Sequence, residues 1–173
     1  ARDVQAVRYV CENGLMAGIT ETQFAPDQTL TRGEMTSILW KLAGSPQVAA
    51  DAAGFVDTAG ADCAGAVAWA ADNGVVSGYG DSRFGPADPV TREQMSLMLL
   101  RYAQYAGMDT AQGGMAIREF GDFAQISGYA LEAMTWVVEA GVLTGLDGAL
   151  APGQAATRVQ TAQALLALSQ IAE

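Results

Sequence analysis

The chain contains one pattern three times over, and this limits it to a small group of architectures. A shift of 60 residues superposes the first copy on the second without a gap, matching Tyr9 to Trp69, Gly14 to Gly74, Phe24 to Phe84 and Pro26 to Pro86. The third copy follows 66 or 67 residues later, with Trp136, Gly141, Gly145 and Pro152 at the matching places. A repeat of this length predicts a tandem array in which neighbouring units share one core.

Each copy consists of a predicted helix, a long loop and a second helix. The first helices carry apolar residues at helical spacing: Val4, Val7 and Cys11, then Ala64, Val67 and Ala71, then Leu131, Met134 and Val138. The second helices carry apolar stripes: Met35, Ile38, Leu39 and Leu42, then Met95, Met98, Leu99 and Tyr102, then Ala164, Leu165 and Leu168. Because a two-helix unit cannot bury its apolar face alone, we expect an all-α fold in which repeats 1–48, 49–110 and 111–173 form one pseudo-threefold helical bundle.

The second helix of each copy begins at a threonine followed by an arginine. Six residues match the capping box and are predicted helix caps: Thr31 with Glu34, Thr91 with Gln94, and Thr157 with Gln160. Arg32, Arg92 and Arg158 then occupy the first helical position, where a cation opposes the helix dipole at a cost of about 0.3–1 kcal/mol. Since the chain has only nine Lys and Arg residues, a third of its cations lie at this unfavourable place, and each needs a compensating partner.

The charge balance excludes several classes of partner. With a net charge of −10 and a pI near 4.2, the chain is not expected to hold nucleic acid or anionic membranes through bulk charge. No apolar run is long enough to span a bilayer. Histidine is absent, so Cys11 and Cys63 cannot form a zinc cluster or a Cys/His dyad. We interpret both cysteines as small apolar residues, with a single disulfide as the alternative, and expect no metal or cofactor.

A Phe-x-Asp segment precedes the first helix of copies two and three, at residues 55–57 and 120–122. Copy one opens directly at its helix, so we expect the sequence to be part of a larger protein, with proteolytic trimming as the alternative. The ordered set Phe-x-Asp, Trp-Ala, Asn-Gly-x-x-x-Gly, Phe-x-Pro and Thr-Arg-x-Glu/Gln, recurring over almost the entire chain, resembles the S-layer homology domain.

The resemblance implies both an architecture and a role. In that family three repeats form one all-helical pseudo-trimer, and grooves between neighbouring repeats bind the secondary polysaccharide of Gram-positive cell walls, typically with pyruvylated amino sugars. It therefore implies a non-catalytic, noncovalent anchor on the bacterial surface whose partner is an anionic cell-wall polysaccharide.

We predict that the three arginines point outward beside free backbone N–H groups and bind carboxylates of that polymer. The grooves at Arg32 and Arg92 are expected to be the better ones, because the loops around them follow the family pattern more closely. Surface ion pairs are the alternative role for these arginines.

Eight further residues are candidate ligand contacts: Gly18, Gly78, Gly145, Tyr79, Asp57, Asp122, Trp69 and Trp136. The glycines could admit sugar close to the backbone or serve only the loop. The aspartates could accept sugar hydroxyls or cap a helix, and the tryptophans could stack on sugars or fill the core.

Two other functions remain open from the sequence. A glycoside hydrolase needs only two suitably spaced carboxylates, although no catalytic motif is present. A protein–protein or array-assembly module would be favoured by an exposed Trp40 or an exposed patch of Met16, Met95, Met98 and Met108.

Overall fold

The three predicted helix starts at arginine are confirmed. In the computed structural model, which describes residues 2–49, 52, 54–111 and 114–172, six α-helices alternate between first and second helices of the repeats. They are α1 (Arg2–Glu12), α2 (Arg32–Leu42), α3 (Ala64–Asp72), α4 (Arg92–Tyr105), α5 (Leu131–Glu139) and α6 (Arg158–Ile171). Short 3₁₀ turns at Ala116–Glu119, Phe123–Gln125 and Gly128–Ala130 precede α5. The described residues hold isolated β-bridges but no strand, so the fold is all-α.

Five of the six predicted caps form, whereas the side chain of Glu34 makes no capping bond among the described contacts. The hydroxyl oxygens of Thr31, Thr91 and Thr157 accept the backbone N–H three residues later, at 3.1, 3.2 and 3.3 Å. Gln94 and Gln160 complete the capping box by accepting the N–H of their threonine. The first helices end where Gly14, Gly74 and Gly141 take positive φ angles of 67°, 72° and 72°, a conformation that glycine adopts without the penalty of a side chain.

Helices pair across repeat boundaries. The helix α2 packs against α3, α4 against α5, and α6 against α1, so the second helix of each copy contacts the first helix of the next, and the last copy closes on the first. Within the second repeat, the rings of Trp69 on α3 and Tyr105 on α4 meet edge to face, with their centroids 5.4 Å apart. The most extensive helix contacts nevertheless join neighbouring repeats.

A ring of backbone hydrogen bonds joins the three copies just before the second helices. The N–H of Leu30 donates to the carbonyl of Ala156 at 3.1 Å, that of Ala156 to Val90 at 2.8 Å, and that of Val90 to Leu30 at 2.9 Å. All three residues are buried. The loops of the three repeats thus meet at one place, from which the second helices diverge.

The core confirms the stripes of the second helices, whereas of the first-helix stripes it buries only Val67 and Met134. Residues of the second-helix stripes are buried, apart from a half-buried Leu42. In α1, however, Val4 is 62% exposed and Cys11 is exposed, while Ala6 and Val10 are buried. The prediction missed this face because it relied on Val4 and Cys11, whereas the smaller Ala6 points inward together with Val10.

Several smaller expectations also have an outcome. Cys11 and Cys63 are free thiols, and Cys63 is half-buried. None of the helices in the described ranges has the length and apolarity that crossing a bilayer requires. The repeat boundaries stay a prediction.

Candidate functional site

Each of the three arginines reaches out of its own repeat into the loop of the next. The Nε and Nη2 atoms of Arg32 donate to the carbonyls of Phe84 and Ser77 at 2.9 and 3.1 Å. The same pair of bonds joins Arg92 to Leu150 and Thr144 at 2.9 and 2.8 Å, and joins Arg158 to Phe24 and Ala17. The compensating partners of these cations are therefore backbone carbonyls 45 to 141 residues away.

The expectation of an outward guanidinium beside free N–H groups is wrong. Arg32 is only 7% exposed and Arg92 only 1%. At the start of α2, the N–H groups of Arg32 and Gly33 already donate to the carbonyls of Asp88 and Pro86 at 2.9 and 3.0 Å, and α4 and α6 repeat this arrangement. Backbone carbonyls of the next repeat thus accept the N–H groups that were expected to be free for a ligand.

The alternative of surface ion pairs is also excluded for these residues. In the described part of the chain, the single ion pair joins Arg83 and Asp81 at 4.0 Å, on the surface.

One nitrogen of the guanidinium distinguishes the three sites. Within the described ranges, Nη1 of Arg32 and Nη1 of Arg158 have no hydrogen-bond partner, whereas Nη1 of Arg92 donates to Oε1 of Gln160 at 3.3 Å. No buried side-chain nitrogen or oxygen among these residues lacks a partner. Nη1 of Arg32 is consequently accessible to solvent, and it remains available to an anion.

Two open cavities and one closed one adjoin these arginines. The Arg32 groove has a volume of about 340 Å³ and is lined by Arg32, Val75, Val76, Ser77, Gly78, Tyr79, Gln94, Leu97, Met98, Arg101 and Tyr129. The Arg158 groove has a volume of about 440 Å³. Most of its lining residues occupy positions equivalent to those of the Arg32 groove: Leu15, Met16, Ala17, Glu34, Ser37, Ile38, Lys41, Asp62 and Arg158. Cys63 and neighbouring loop residues complete the lining. Both grooves lie between repeats, as the resemblance implied.

The third repeat-related position is filled by the protein itself. Around Arg92 the free volume is only about 10 Å³, and the lining side chains include Arg2, Gln160 and Gln163. The ranking of the grooves from the sequence is therefore corrected: Arg92 lines almost no open space, whereas Arg158, placed last, lines the larger of the two open grooves. The occluding side chains come from α1 and α6, so only the folded chain brings them to this place.

Aromatic rings surround the cation of the Arg32 groove. The guanidinium carbon of Arg32 lies 4.8 Å from the ring centre of Tyr79 and 4.6 Å from that of Phe84, distances at which a cation is attracted to a ring face. The hydroxyl of Tyr79 donates to Asp88 at 2.8 Å. Burial and this hydrogen bond raise the pKa of Tyr79, against the opposing charge of Arg32, so its phenol is neutral at pH 7.

Asp57 and Asp122 hold loops. The carboxylate of Asp57 accepts the N–H groups of Phe84 and Gly85, both at 2.8 Å, and Asp122 accepts those of Leu150 and Ala151 at the same distance. The backbone bond from Phe84 is the main cause of the lowered pKa of Asp57. Each carboxylate is thus committed to the loop whose carbonyl binds an arginine.

The three glycines serve the same loops. A Cβ atom on Gly18 would lie 2.4 Å from the carbonyl oxygen of Thr20, and one on Gly78 would lie 2.4 Å from the ring of Phe55. Gly145 meets Phe120 in the same way, at 2.6 Å. Only Gly78 also lines one of the open grooves described above.

Trp69 and Trp136 belong to the core. They are 4% and 2% exposed, and they line neither open groove, so their candidacy as sugar-stacking platforms is corrected to a packing role. The sequence missed three groove residues, namely Lys41, Arg101 and Tyr129. Lys41 and Arg101 occupy equivalent positions on the groove side of α2 and α4, each nine residues after the arginine that begins its helix. This equivalence was a usable signal in the sequence.

The features that would favour a protein–protein module are weak in the structure. Met16, Met95 and Met98 are buried. Trp40 is half-buried and donates its indole N–H to the carbonyl of Pro46 at 2.9 Å. Met108, by contrast, is half-buried and lines a further cavity of about 480 Å³ where α2, α4 and α6 end.

Comparison with known proteins agrees with this geometry. The family model described as S-layer homology domain matches residues 3–36, 54–96 and 119–162. Among curated proteins, the chain is 27% identical over 170 residues to "Exoglucanase XynX" of Acetivibrio thermocellus, covering 97% of this chain and 15% of that protein. It is 26% identical to "Amylopullulanase" of Thermoanaerobacterium thermosulfurigenes, covering 97% and 9%, and 27% identical to "Endoglucanase" of Bacillus sp. (strain KSM-635), covering 94% and 17%.

The chain therefore spans less than a fifth of each of these relatives. The three matched segments coincide with the three copies found in the sequence and together cover most of the chain. The chain belongs to the S-layer homology domain family.

Proposed function

We propose that this chain is a non-catalytic module that anchors a larger protein to the bacterial cell wall. It binds an acidic wall polysaccharide in the Arg32 and Arg158 grooves. The observation that carries the proposal is that two repeat-related grooves each present an arginine with one nitrogen left unpaired, beside open space. A pyruvyl ketal on an amino sugar supplies the carboxylate that such a nitrogen would bind.

The charge of the Arg32 groove favours an anion in spite of the acidic protein, whereas the two cations of the Arg158 groove are matched by Glu34 and Asp62 in its lining. Arg101 accompanies Arg32, and Lys41 accompanies Arg158. Arg101 is held in place by a 2.7 Å hydrogen bond from its Nη1 to the hydroxyl of Ser77. With a net charge of −10, the rest of the surface repels an acidic polymer, so binding depends on contacts inside the grooves.

The relatives support a role in anchoring rather than catalysis. An exoglucanase, an amylopullulanase and an endoglucanase differ in activity by name, yet all three share this segment of about 170 residues. A segment common to three differently named enzymes is expected to provide what they have in common, such as a location on the cell surface.

Isolated wall polymer and a defined glycoside test the proposal. The chain should cosediment with the polymer without releasing reducing ends. In a calorimetric titration it should bind the methyl glycoside of a pyruvyl-ketal N-acetylhexosamine more tightly than the same glycoside without the ketal. Release of reducing ends would indicate hydrolysis, and equal affinity for both glycosides would refute the role of the carboxylate.

Variants that spare the core make the test specific. Lys41→Ala and Arg101→Ala each remove one groove cation from a side chain that is not buried, so each should weaken its own groove by about tenfold without changing the melting temperature. Arg83→Ala, which removes an exposed arginine outside both grooves, is the matched control. A Lys41→Ala/Arg101→Ala double variant that binds like the control would contradict the proposal.

A further inference from the structure

Glu93 is a buried carboxylate in the second repeat. It is 7% exposed and lies in the first turn of α4. Its Oε2 accepts the N–H of Ser127 at 3.0 Å, while its Oε1 accepts the hydroxyls of Ser127 at 2.7 Å and Tyr129 at 3.1 Å. Charged carboxylates are rarely buried unless their oxygens are satisfied in this way.

This cluster has no counterpart in the other repeats. The positions related to Glu93 are Gly33 and Val159, and those related to Tyr129 are Asp62 and Arg2. In copy one a larger residue has no room, because a Cβ on Gly33 would lie 2.9 Å from both the sulfur of Cys63 and the carbonyl oxygen of Pro86. The same helix start thus forms without the carboxylate twice, so the carboxylate serves something local to the Arg32 groove.

Its local effect is to fix an exposed ring at that groove. Tyr129 is 55% exposed and lines the Arg32 groove together with Tyr79, which is 47% exposed. The hydroxyl of Tyr129 is tied to Glu93, as that of Tyr79 is tied to Asp88. Burial and the charge of Glu93 raise the pKa of Tyr129, so this tether persists at neutral pH. Both hydroxyls donate to the protein, so neither ring needs the ligand as a hydrogen-bond partner, and one face of Tyr79 is already covered by the guanidinium of Arg32.

Ring faces and a guanidinium suit an acidic sugar. Aromatic rings pack on the C–H faces of a pyranose, and each held ring avoids the entropy loss of being ordered on binding. The Arg158 groove has cations but, among its lining residues, no tyrosine or tryptophan.

We propose that Glu93 is a positioning residue that holds Tyr129 as a second aromatic wall, which makes the Arg32 groove the tighter glycan site of the two. This inference rests on the proposed function. It adds a specificity determinant that acts without touching the ligand, since Glu93 itself does not line the groove.

Groove-resolved NMR titration of the ¹⁵N-labelled chain with the pyruvyl-ketal methyl glycoside tests it. The amide of Ser77 reports the Arg32 groove and that of Ala17 reports the Arg158 groove. Glu93→Gln and Tyr129→Phe should each weaken binding at Ser77 by about tenfold and leave binding at Ala17 unchanged. Glu132→Gln, on the exposed side of α5, is the control and should change neither.

The combination of the two changes separates positioning from a general loss of structure. If Glu93 acts through Tyr129, the double variant Glu93→Gln/Tyr129→Phe binds no more weakly than either single variant. Additive losses, equal losses in both grooves, or an unchanged affinity in Tyr129→Phe would each overturn the proposal. Should Glu93→Gln fail to fold, Tyr129→Phe still decides, because it keeps the ring and removes only the tether. If the unaltered chain binds the glycoside in neither groove, the proposed function is refuted as well. If it binds but the variants bind equally well, only the role of Glu93 is refuted.

Discussion

Replacing Arg92 with alanine should destabilise the protein strongly without removing a ligand contact. Arg92 is 1% exposed and donates to the carbonyls of Leu150 and Thr144 and to the side chain of Gln160. Burial lowers the pKa of Arg92 to about 10, against the opposing charge of Asp122, so its guanidinium is still charged at pH 7. It links the second repeat to the third through charge-assisted hydrogen bonds.

The magnitude follows from the acceptors left behind. Each carbonyl that loses its donor in a buried place costs about 1–3 kcal/mol, partly offset because the cation no longer has to be desolvated. We therefore expect Arg92→Ala to lower the free energy of unfolding by about 3 kcal/mol, which for a domain of this size corresponds to a fall in melting temperature of about 6–12 °C. The free energy of unfolding of Arg92→Lys should lie between those of Arg92→Ala and the unaltered chain, since one ammonium cannot replace the planar guanidinium at both carbonyls.

Urea and thermal denaturation followed by circular dichroism measure this effect. Arg83→Ala is the control, because its only ion pair is exposed and 4.0 Å long, and such pairs contribute about 0–1 kcal/mol. A melting temperature of Arg92→Ala close to that of Arg83→Ala would refute the interpretation of Arg92 as an internal tie. At temperatures where Arg92→Ala is folded, its affinity for the glycoside should equal that of the unaltered chain, because its groove has almost no free volume.

Three other predictions address the loops and the cysteines. Because the pKa of Asp57 is lowered from its ordinary value of 3.8, its ionised carboxylate stabilises the fold above that pH, and this stability is lost as the pH falls further. Asp57→Asn should therefore lower the melting temperature at pH 7. Between pH 7 and pH 2 the melting temperature of the variant, followed by circular dichroism, should fall less than that of the unaltered chain. Gly78→Ala should destabilise the loop, because the new Cβ would meet the Phe55 ring at 2.4 Å, and a melting temperature equal to that of the unaltered chain would contradict this reason. Burial raises the pKa of Cys63, whereas Cys11 is exposed, so iodoacetamide should label Cys11 first by mass spectrometry, and equal rates would show that Cys63 is more accessible than the structure indicates.

Local chemistry made the helix starts predictable. A threonine followed three residues later by Glu or Gln satisfies the free N–H groups from within the same short segment, so no distant partner is needed to place Arg32, Arg92 and Arg158 at the first helical position. The apolar stripes of the second helices followed for the same reason, because their apolar residues recur at helical spacing over about two turns.

The direction of the arginines could not be derived from the segment that contains them. The dipole argument identified an unfavourable cation and looked for its partner in a ligand, whereas the carbonyls that hold Arg32 belong to residues 45 and 52 positions away. The buried face of α1 was missed for a related reason. In α1 the buried Ala6 is smaller than the exposed Val4, so size and hydrophobicity alone select the wrong side when the neighbouring helix approaches closely.

Under the proposed function, stability and binding draw on the same guanidinium. Two nitrogens of each arginine join one repeat to the next, and the third either meets the groove, as in Arg32, or is taken by Gln160, as in Arg92. A repeat can therefore lose its ligand while it keeps the interrepeat link, because occlusion needs only a few side chains such as Gln160 and Gln163 at the mouth of the groove. A repeat cannot abolish its groove by losing the arginine without cost, because that loss would also break the hydrogen bonds that join it to the next repeat. Hence all three copies retain arginine, although only two of them leave space beside it.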